Sequence, residues 1–197
     1  MAAITRFGIP AMLLLGLGFV VYVWMSASST PNSADQFKSL AKGKMKNLIF
    51  ESDPPARPTA VFQGPEGDVT FEEIETKVQV VNYWATNCPP CILEMPTLAK
   101  LQDNYAPEDL KVIAISLDRL GDHDMAKKKL EDLTEGKLEF YADHKMKTLF
   151  DAKVRGFPTT IIYNEAGDEV ARYESDTDWA SDEAFRFFDA VTSGEVS

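Results

Sequence analysis

Val78-Gln79-Val80-Val81-Asn82-Tyr83-Trp84-Ala85-Thr86-Asn87-Cys88-Pro89-Pro90-Cys91 is the stretch that decides the fold. Its first seven residues are rich in β-branched and aromatic side chains, the pattern of a short strand buried on both faces. From Pro89 to Tyr105 the spacing becomes helical, with Ile92, Met95, Leu98, Ala99 and Leu101 on one stripe and Pro96 expected to bend the helix. The chain's only two cysteines therefore stand at a strand-to-helix junction. A thiolate there faces the positive end of the helix dipole and unpaired N–H groups, so its pKa falls and it becomes nucleophilic. Pro89 and Pro90 lack an N–H and fix φ in the first turn, which leaves the amides of Cys91 and Ile92 as donors and holds both sulfurs in place. On this geometry Cys88 attacks a partner disulfide, and the more buried Cys91 resolves the mixed disulfide. Two other readings stay open. A structural disulfide closing so short a loop removes little unfolded-state entropy. Zinc needs two further ligands, and His123 and His144, set apart among polar residues, read as solvated surface groups.

Outward from this stretch, strands and helices alternate. Upstream, Val61–Gln63 and Asp68–Phe71 flank Gly64-Pro65-Glu66-Gly67 as a hairpin, and Thr70 with Glu73 predicts a capping box for one helical turn. Downstream, Val112–Leu117 reads as a second buried strand, Asp122–Leu133 as a charged helix and His144–Asp151 as a further helical segment. Thr159–Tyr163 and Glu169–Tyr173 form a hairpin across Asn164–Asp168. Ser181 caps a last helix whose inner side is expected to carry Ala184, Phe185, Phe188 and Val191. The pattern predicts an α/β fold, a central sheet covered by helices and ending in an antiparallel hairpin.

With 197 residues the chain holds one buried domain and an appendage. Phe7–Met25 is 19 residues without a charge, about 28 Å as a helix, enough to cross a bilayer core. It is longer than the apolar core of a secretory signal, although Ser26-Ala27-Ser28 resembles a cleavage site. We therefore expect an N-terminal transmembrane anchor over 1–25, a linker over 26–57 and the folded domain over 58–197. Within the linker, Ser26–Ser33 has the composition of a flexible tether, and Ala34–Phe50 is expected to form a short amphipathic helix on Phe37, Leu40, Ala41 and Leu48. The prolines of Asp53–Pro58 then end any helix. The net charge of −11 is uneven, +3 over residues 1–57 and −14 over 58–197. An acidic domain is repelled by phosphate, which excludes nucleic acid as a partner. Long domains cross the membrane largely regardless of flanking charge, so the domain is expected outside the cytoplasm.

The chain resembles the thioredoxin superfamily from about residue 58 to residue 192. Val80–Cys91 is similar to the family's strand, aromatic turn and active-site motif, and Gly156-Phe157-Pro158-Thr159-Thr160 to its cis-proline loop. Both motifs in order, before a two-strand, one-helix ending, make the resemblance specific. It implies a thioredoxin-like central mixed sheet flanked by helices, with Phe157 and Pro158 against the cysteines and pairing with substrate backbone. A copper-binding or peroxide-reducing member of that broad fold calls for other ligands or an isolated peroxidatic cysteine, and neither is visible.

Cys91-Ile92-Leu93-Glu94-Met95-Pro96 and Trp179-Ala180-Ser181-Asp182-Glu183-Ala184 resemble the TlpA-type, membrane-tethered branch. That resemblance implies a bacterial inner-membrane protein facing the periplasm, with catalytic Cys88, Cys91, Glu94 and Pro158 and substrate-binding Trp84, Pro89, Pro90 and Phe157. It implies no cofactor beyond the redox-active Cys88–Cys91 pair, and a membrane electron donor to re-reduce it. The implied substrates are cysteine pairs of a copper chaperone or oxidase subunit in cytochrome oxidase assembly, or apocytochrome c in cytochrome c maturation. A non-catalytic adaptor or metal carrier is the reading of another class. Glu94, three residues after Cys91 and on the same helix face, is placed to manage that thiol's proton. Asn82 stands where many thioredoxins carry a buried acid, which moves the proton-handling role toward Glu94. Asn87 departs from the tryptophan common before the first cysteine.

Overall fold

The computed structural model describes residues 37–194. The expected anchor over 1–25 and the Ser26–Ser33 tether lie outside the described residues. Among the described residues no helix is long and apolar enough to cross a membrane.

The strands are β1 (Phe62–Gly64), β2 (Gly67–Val69), β3 (Val78–Trp84), β4 (Leu110–Ser116), β5 (Tyr141–Ala142), β6 (Thr159–Asn164) and β7 (Glu169–Tyr173). The helices are α1 (Pro89–Asn104), α2 (His123–Thr134), α3 (Lys147–Asp151) and α4 (Asp182–Ser193). The strands form one mixed sheet in the order β2-β1-β5-β4-β3-β6-β7. β3 is central, parallel to β4 and antiparallel to β6, and all seven of its residues are buried. Its alternating side chains divide the core in two. Val78, Val80 and Trp84 join the cluster beneath α1 and α4 with Met95, Leu98, Phe187 and Phe188. Val81 and Tyr83 join Phe62, Phe71, Leu149 and Tyr163 on the other face.

This topology brings three separate pieces of chain to one edge of the sheet. β3 and β4 run in register to Trp84 and Ser116. β6 runs the other way and starts opposite Tyr83, so the 156–158 loop arrives where β3 gives way to α1.

Several boundaries and burials differ from the expectation. Of the expected Ala34–Phe50 helix, the described residues 37–50 do not form one helix: they hold two single 3-10 turns, Lys38–Leu40 and Gly43–Met45, the second opening on Gly43 at φ +54. The apolar residues of this stretch are nonetheless in the core, with Phe37, Met45 and Leu48 buried and the rings of Phe37 and Phe50 against Phe187. The hairpin is present, shifted to β1 and β2, and the Glu73 carboxylate accepts from the Thr70 N–H (2.7 Å) and hydroxyl (2.8 Å) over the turn Phe71–Glu73. The helix expected from His144 starts only at Lys147, because Met146 takes a left-handed conformation at its start. The inner stripe of α4 uses Phe187, while Phe185 is only partly buried. His123 is not a solvated surface residue. It is 7 % exposed, its Nδ1 is 3.0 Å from Gln63 Oε1, and its ring lies 5.9 Å from both Phe140 and His144.

The sheet edge at β7 is partly covered. Ile49 and Arg172 exchange backbone hydrogen bonds of 2.8 and 2.9 Å as an isolated antiparallel bridge. The Arg172 side chain turns inward into a bidentate pair with Glu169 (both bonds 2.6 Å) and donates to the Ala152 carbonyl at 3.2 Å. A buried guanidinium of this kind is tolerated because its donors are matched in plane by a carboxylate fork.

Candidate active site

Cys88 is the N-cap of α1, and Pro89 and Pro90 fill the first positions of the helix, where a missing N–H costs nothing. Cys88 and Cys91 are joined in a disulfide with Cα atoms 5.3 Å apart. The Cys91 N–H donates to Cys88 Sγ at 3.3 Å, which places that sulfur on the free amide at the helix start. Cys88 is 6 % exposed and Cys91 0 %, so Cys91 is sealed and what exposure the pair has lies at Cys88.

The Phe157–Pro158 peptide is cis, and the Phe157 carbonyl oxygen lies 3.8 Å from Cys88 Sγ. Pro158 is buried, while the Phe157 ring is 44 % exposed. Pro89 is also exposed and Pro90 half-buried, so these three residues border the accessible sulfur. Trp84 corrects the expectation of a substrate contact. It is fully buried in the apolar cluster that contains both cysteines, beneath the site and away from its surface, because β3 is covered on both faces. Leu93, 73 % exposed on the first turns of α1, is an apolar surface residue the sequence reading did not single out.

Glu94 stands one helical turn after Cys91 on α1. It projects from α1 toward the sheet and is 1 % exposed. Its Oε1 accepts from Asn82 Nδ2 at 2.8 Å, and its Oε2 accepts from Trp179 Nε1 at 2.9 Å and the Thr177 N–H at 3.4 Å. Burial pushes this carboxyl up to about 7 against the opposing pull of those donors, and the nearby Asp176 charge adds to the rise. Asn82 also donates to Thr160 Oγ1 at 2.9 Å, tying β3, β6 and α1 together under the cysteines.

A second polar group fixes the turn before Cys88. The Asp118 carboxylate accepts from the Thr86 N–H (3.0 Å), the Thr86 hydroxyl (2.6 Å) and the Ser116 hydroxyl (2.8 Å). Lys129 Nζ donates to the Thr86 carbonyl at 3.2 Å. Neither this clamp nor the Trp179 and Thr177 contacts to Glu94 came from the sequence reading; Trp179 was visible there only inside a resemblance motif. Among the described residues no group of three or more His, Cys, Asp or Glu is placed to hold a metal ion.

The sequence profile of the AhpC/TSA family matches residues 55–170. The chain belongs to the AhpC/TSA family. Within this AhpC/TSA chain the similarity extends to thiol-disulfide oxidoreductase ResA of Halalkalibacterium halodurans, 26% identical over 166 residues, covering 84% of this chain and 82% of that one. Thioredoxin-like protein YneN of Bacillus subtilis is 31% identical over 98 residues, covering 50% of this chain and 56% of that one. In structure, the thioredoxin domain of a thiol-disulfide oxidoreductase from Bacteroides vulgatus superposes with a TM-score of 0.58 at 18% identity, over 72% of this chain and 99% of that one. The thioredoxin-like fold and the TlpA-type resemblance both stand, and so does the activity class: this AhpC/TSA chain is a thiol-disulfide oxidoreductase.

Proposed function

We propose that the protein works as a dithiol reductant, tethered to the bacterial inner membrane by residues 7–25 with its domain in the periplasm. The observation that carries the thiol-exchange reading is the Glu94 carboxyl, sealed from solvent one helical turn after Cys91 and held near neutrality in its pKa. The direction, reduction of the partner, rests on the TlpA-type resemblance. A resolving thiol that is itself buried has no water to take its proton, and a carboxyl that titrates near 7 is matched to that exchange.

In the reduced enzyme the Cys88 thiolate attacks one sulfur of a substrate disulfide, forming a mixed disulfide and releasing the other sulfur as a thiolate. Cys91 passes its proton toward Glu94 and attacks Cys88 Sγ, which releases the second substrate sulfur. The enzyme keeps the Cys88–Cys91 disulfide, and two electrons have moved to the substrate dithiol. A membrane dithiol donor then reverses the sequence on the enzyme. Phe157 and Pro158 offer backbone beside Cys88, and the rings of Phe157, Pro89 and Pro90 give a substrate segment an apolar border.

The substrates in this reading are cysteine pairs of copper-site proteins in cytochrome oxidase assembly. The support is the TlpA-type resemblance together with a chain that has a single thiol pair and no credible metal-ligand set around it in sequence. A tether adds a local concentration effect for membrane-bound partners. The Cys91→Ser variant lacks the resolving thiol and should hold its substrates as mixed disulfides. Copper-chaperone or oxidase-subunit cysteines in that trap are the expected result. A trap containing only apocytochromes c moves the assignment to cytochrome c maturation. Retention of the full-length chain in membranes after carbonate extraction is expected of the tether; release of a shorter chain would show a cleaved signal.

A further inference from the structure

Two of the donors to Glu94 come from outside the family-matched stretch 55–170. Thr177 and Trp179 lie on the loop between β7 and α4, and the same loop is gripped by the segment 37–50. The Lys44 carbonyl oxygen accepts from Thr177 Oγ1 at 3.1 Å and from the Tyr173 hydroxyl at 3.2 Å. The Tyr173 ring stands edge-on to Trp179 with centroids 5.7 Å apart. One carbonyl thus touches both routes to the buried carboxyl, Thr177 directly and Trp179 through Tyr173. Gly43, just before Lys44, has φ +54, a left-handed backbone that any side chain there would strain.

We propose that the segment Phe37–Phe50 is a working part of the redox site, a positioning element that keeps Thr177 and Trp179 on Glu94 and keeps water from it. This rests on the reading of Glu94 as the proton acceptor for Cys91. By holding the loop, the segment sets how readily that proton moves. The groups facing Glu94 are Asn82 from β3, Thr177, Trp179 and the charged Asp176 from the β7–α4 loop, with Thr160 of β6 reaching it through Asn82. Thr97 of α1 pins the other side of the loop, accepting from the Trp179 N–H at 3.1 Å. The segment supplies the outer clamp and α1 the inner one.

The test follows the Glu94 carboxyl carbon by NMR titration in the oxidised full chain, its signal identified by loss in Glu94→Gln. Combining Tyr173→Phe with Thr177→Val removes both donors to the Lys44 carbonyl while the Thr177 N–H and the Trp179 indole remain. Loosened Thr177 and Trp179 donors would raise the Glu94 midpoint and entering water would lower it. Because desolvation is the larger effect at this carboxyl, a net fall of at least about 0.5 unit is expected, and a rise would overturn the water-excluding role. An unchanged midpoint in a folded double variant overturns the proposal. Gly43→Ala strains the left-handed backbone beside Lys44 and carries the test, with the same expected fall, if the double variant does not fold. The pH profile of thiol exchange separates the two layers. A lowered midpoint with an unmoved exchange profile supports the positioning role and removes the proton-transfer role of Glu94.

Discussion

Glu94 has two oxygens and three donors, yet its carboxyl sits at about 7 because burial outweighs them. The group is neutral in the folded protein over a range where the unfolded chain ionises it. Its contribution to stability is fully present below about pH 4.5 and is lost as pH rises through about 7, a difference of about 3 kcal/mol. Glu94→Gln should remove that slope. Urea unfolding at pH 5 and pH 8 is expected to show the wild type weakening relative to the variant at the higher pH, and a constant difference would contradict the assignment. The same buried geometry orders the thiols. In the reduced protein iodoacetamide should modify Cys88 before Cys91, since Cys91 is 0 % exposed; faster labelling of Cys91 would exchange their roles. The spacing from Cys91 to Glu94 made this carboxyl legible in the sequence, as a three-residue step on a helix must. Asn82 was marked through the resemblance, but Thr177 and Trp179 were not legible as partners of Glu94, because they reach it across 83 and 85 positions and nothing local marks them.

Among the elements, β3, β7 and α1 were readable to within a residue, since a run buried on both faces and a proline-started helix leave little choice of period. α4 was readable as a helix but not in its rotation. Ala184, Phe188 and Val191 fit a helical stripe with either Phe185 or Phe187, and only the rings of Phe37 and Phe50, arriving from far upstream, decide for Phe187. Phe187→Ala should therefore cost about 3–5 kcal/mol in chemical denaturation, and Phe185→Ala clearly less; equal losses would return the stripe to the sequence-based choice. The segment 37–50 misled for the same reason. Its apolar residues are in the core, but they dock through two short turns around a left-handed glycine, so helical spacing found the right residues and the wrong conformation. β5, two residues long, carries no period at all and exists because β4 and β1 lie on either side of it.

At the scale of the whole molecule, a sheet seven strands wide has two rims, and they are guarded differently. β2 is short and mostly exposed, while β7 is a five-residue strand with every residue buried. An uncovered edge strand with free backbone N–H and C=O groups is a template for another chain to extend. The Ile49–Arg172 bridge occupies part of that template with the protein's own backbone. The family profile begins at residue 55, beyond the bridge. A domain trimmed to that boundary keeps both cysteines and Glu94 but uncovers the β7 rim and the Phe187 ring that met Phe37 and Phe50. Sedimentation at rising concentration should show such a chain self-associating, and one beginning near Ala34 remaining monomeric; identical behaviour would mean that the bridge protects nothing. The backbone around Ile49 is thus a built-in stopper against strand exchange between neighbouring copies, a hazard that grows wherever copies are crowded together.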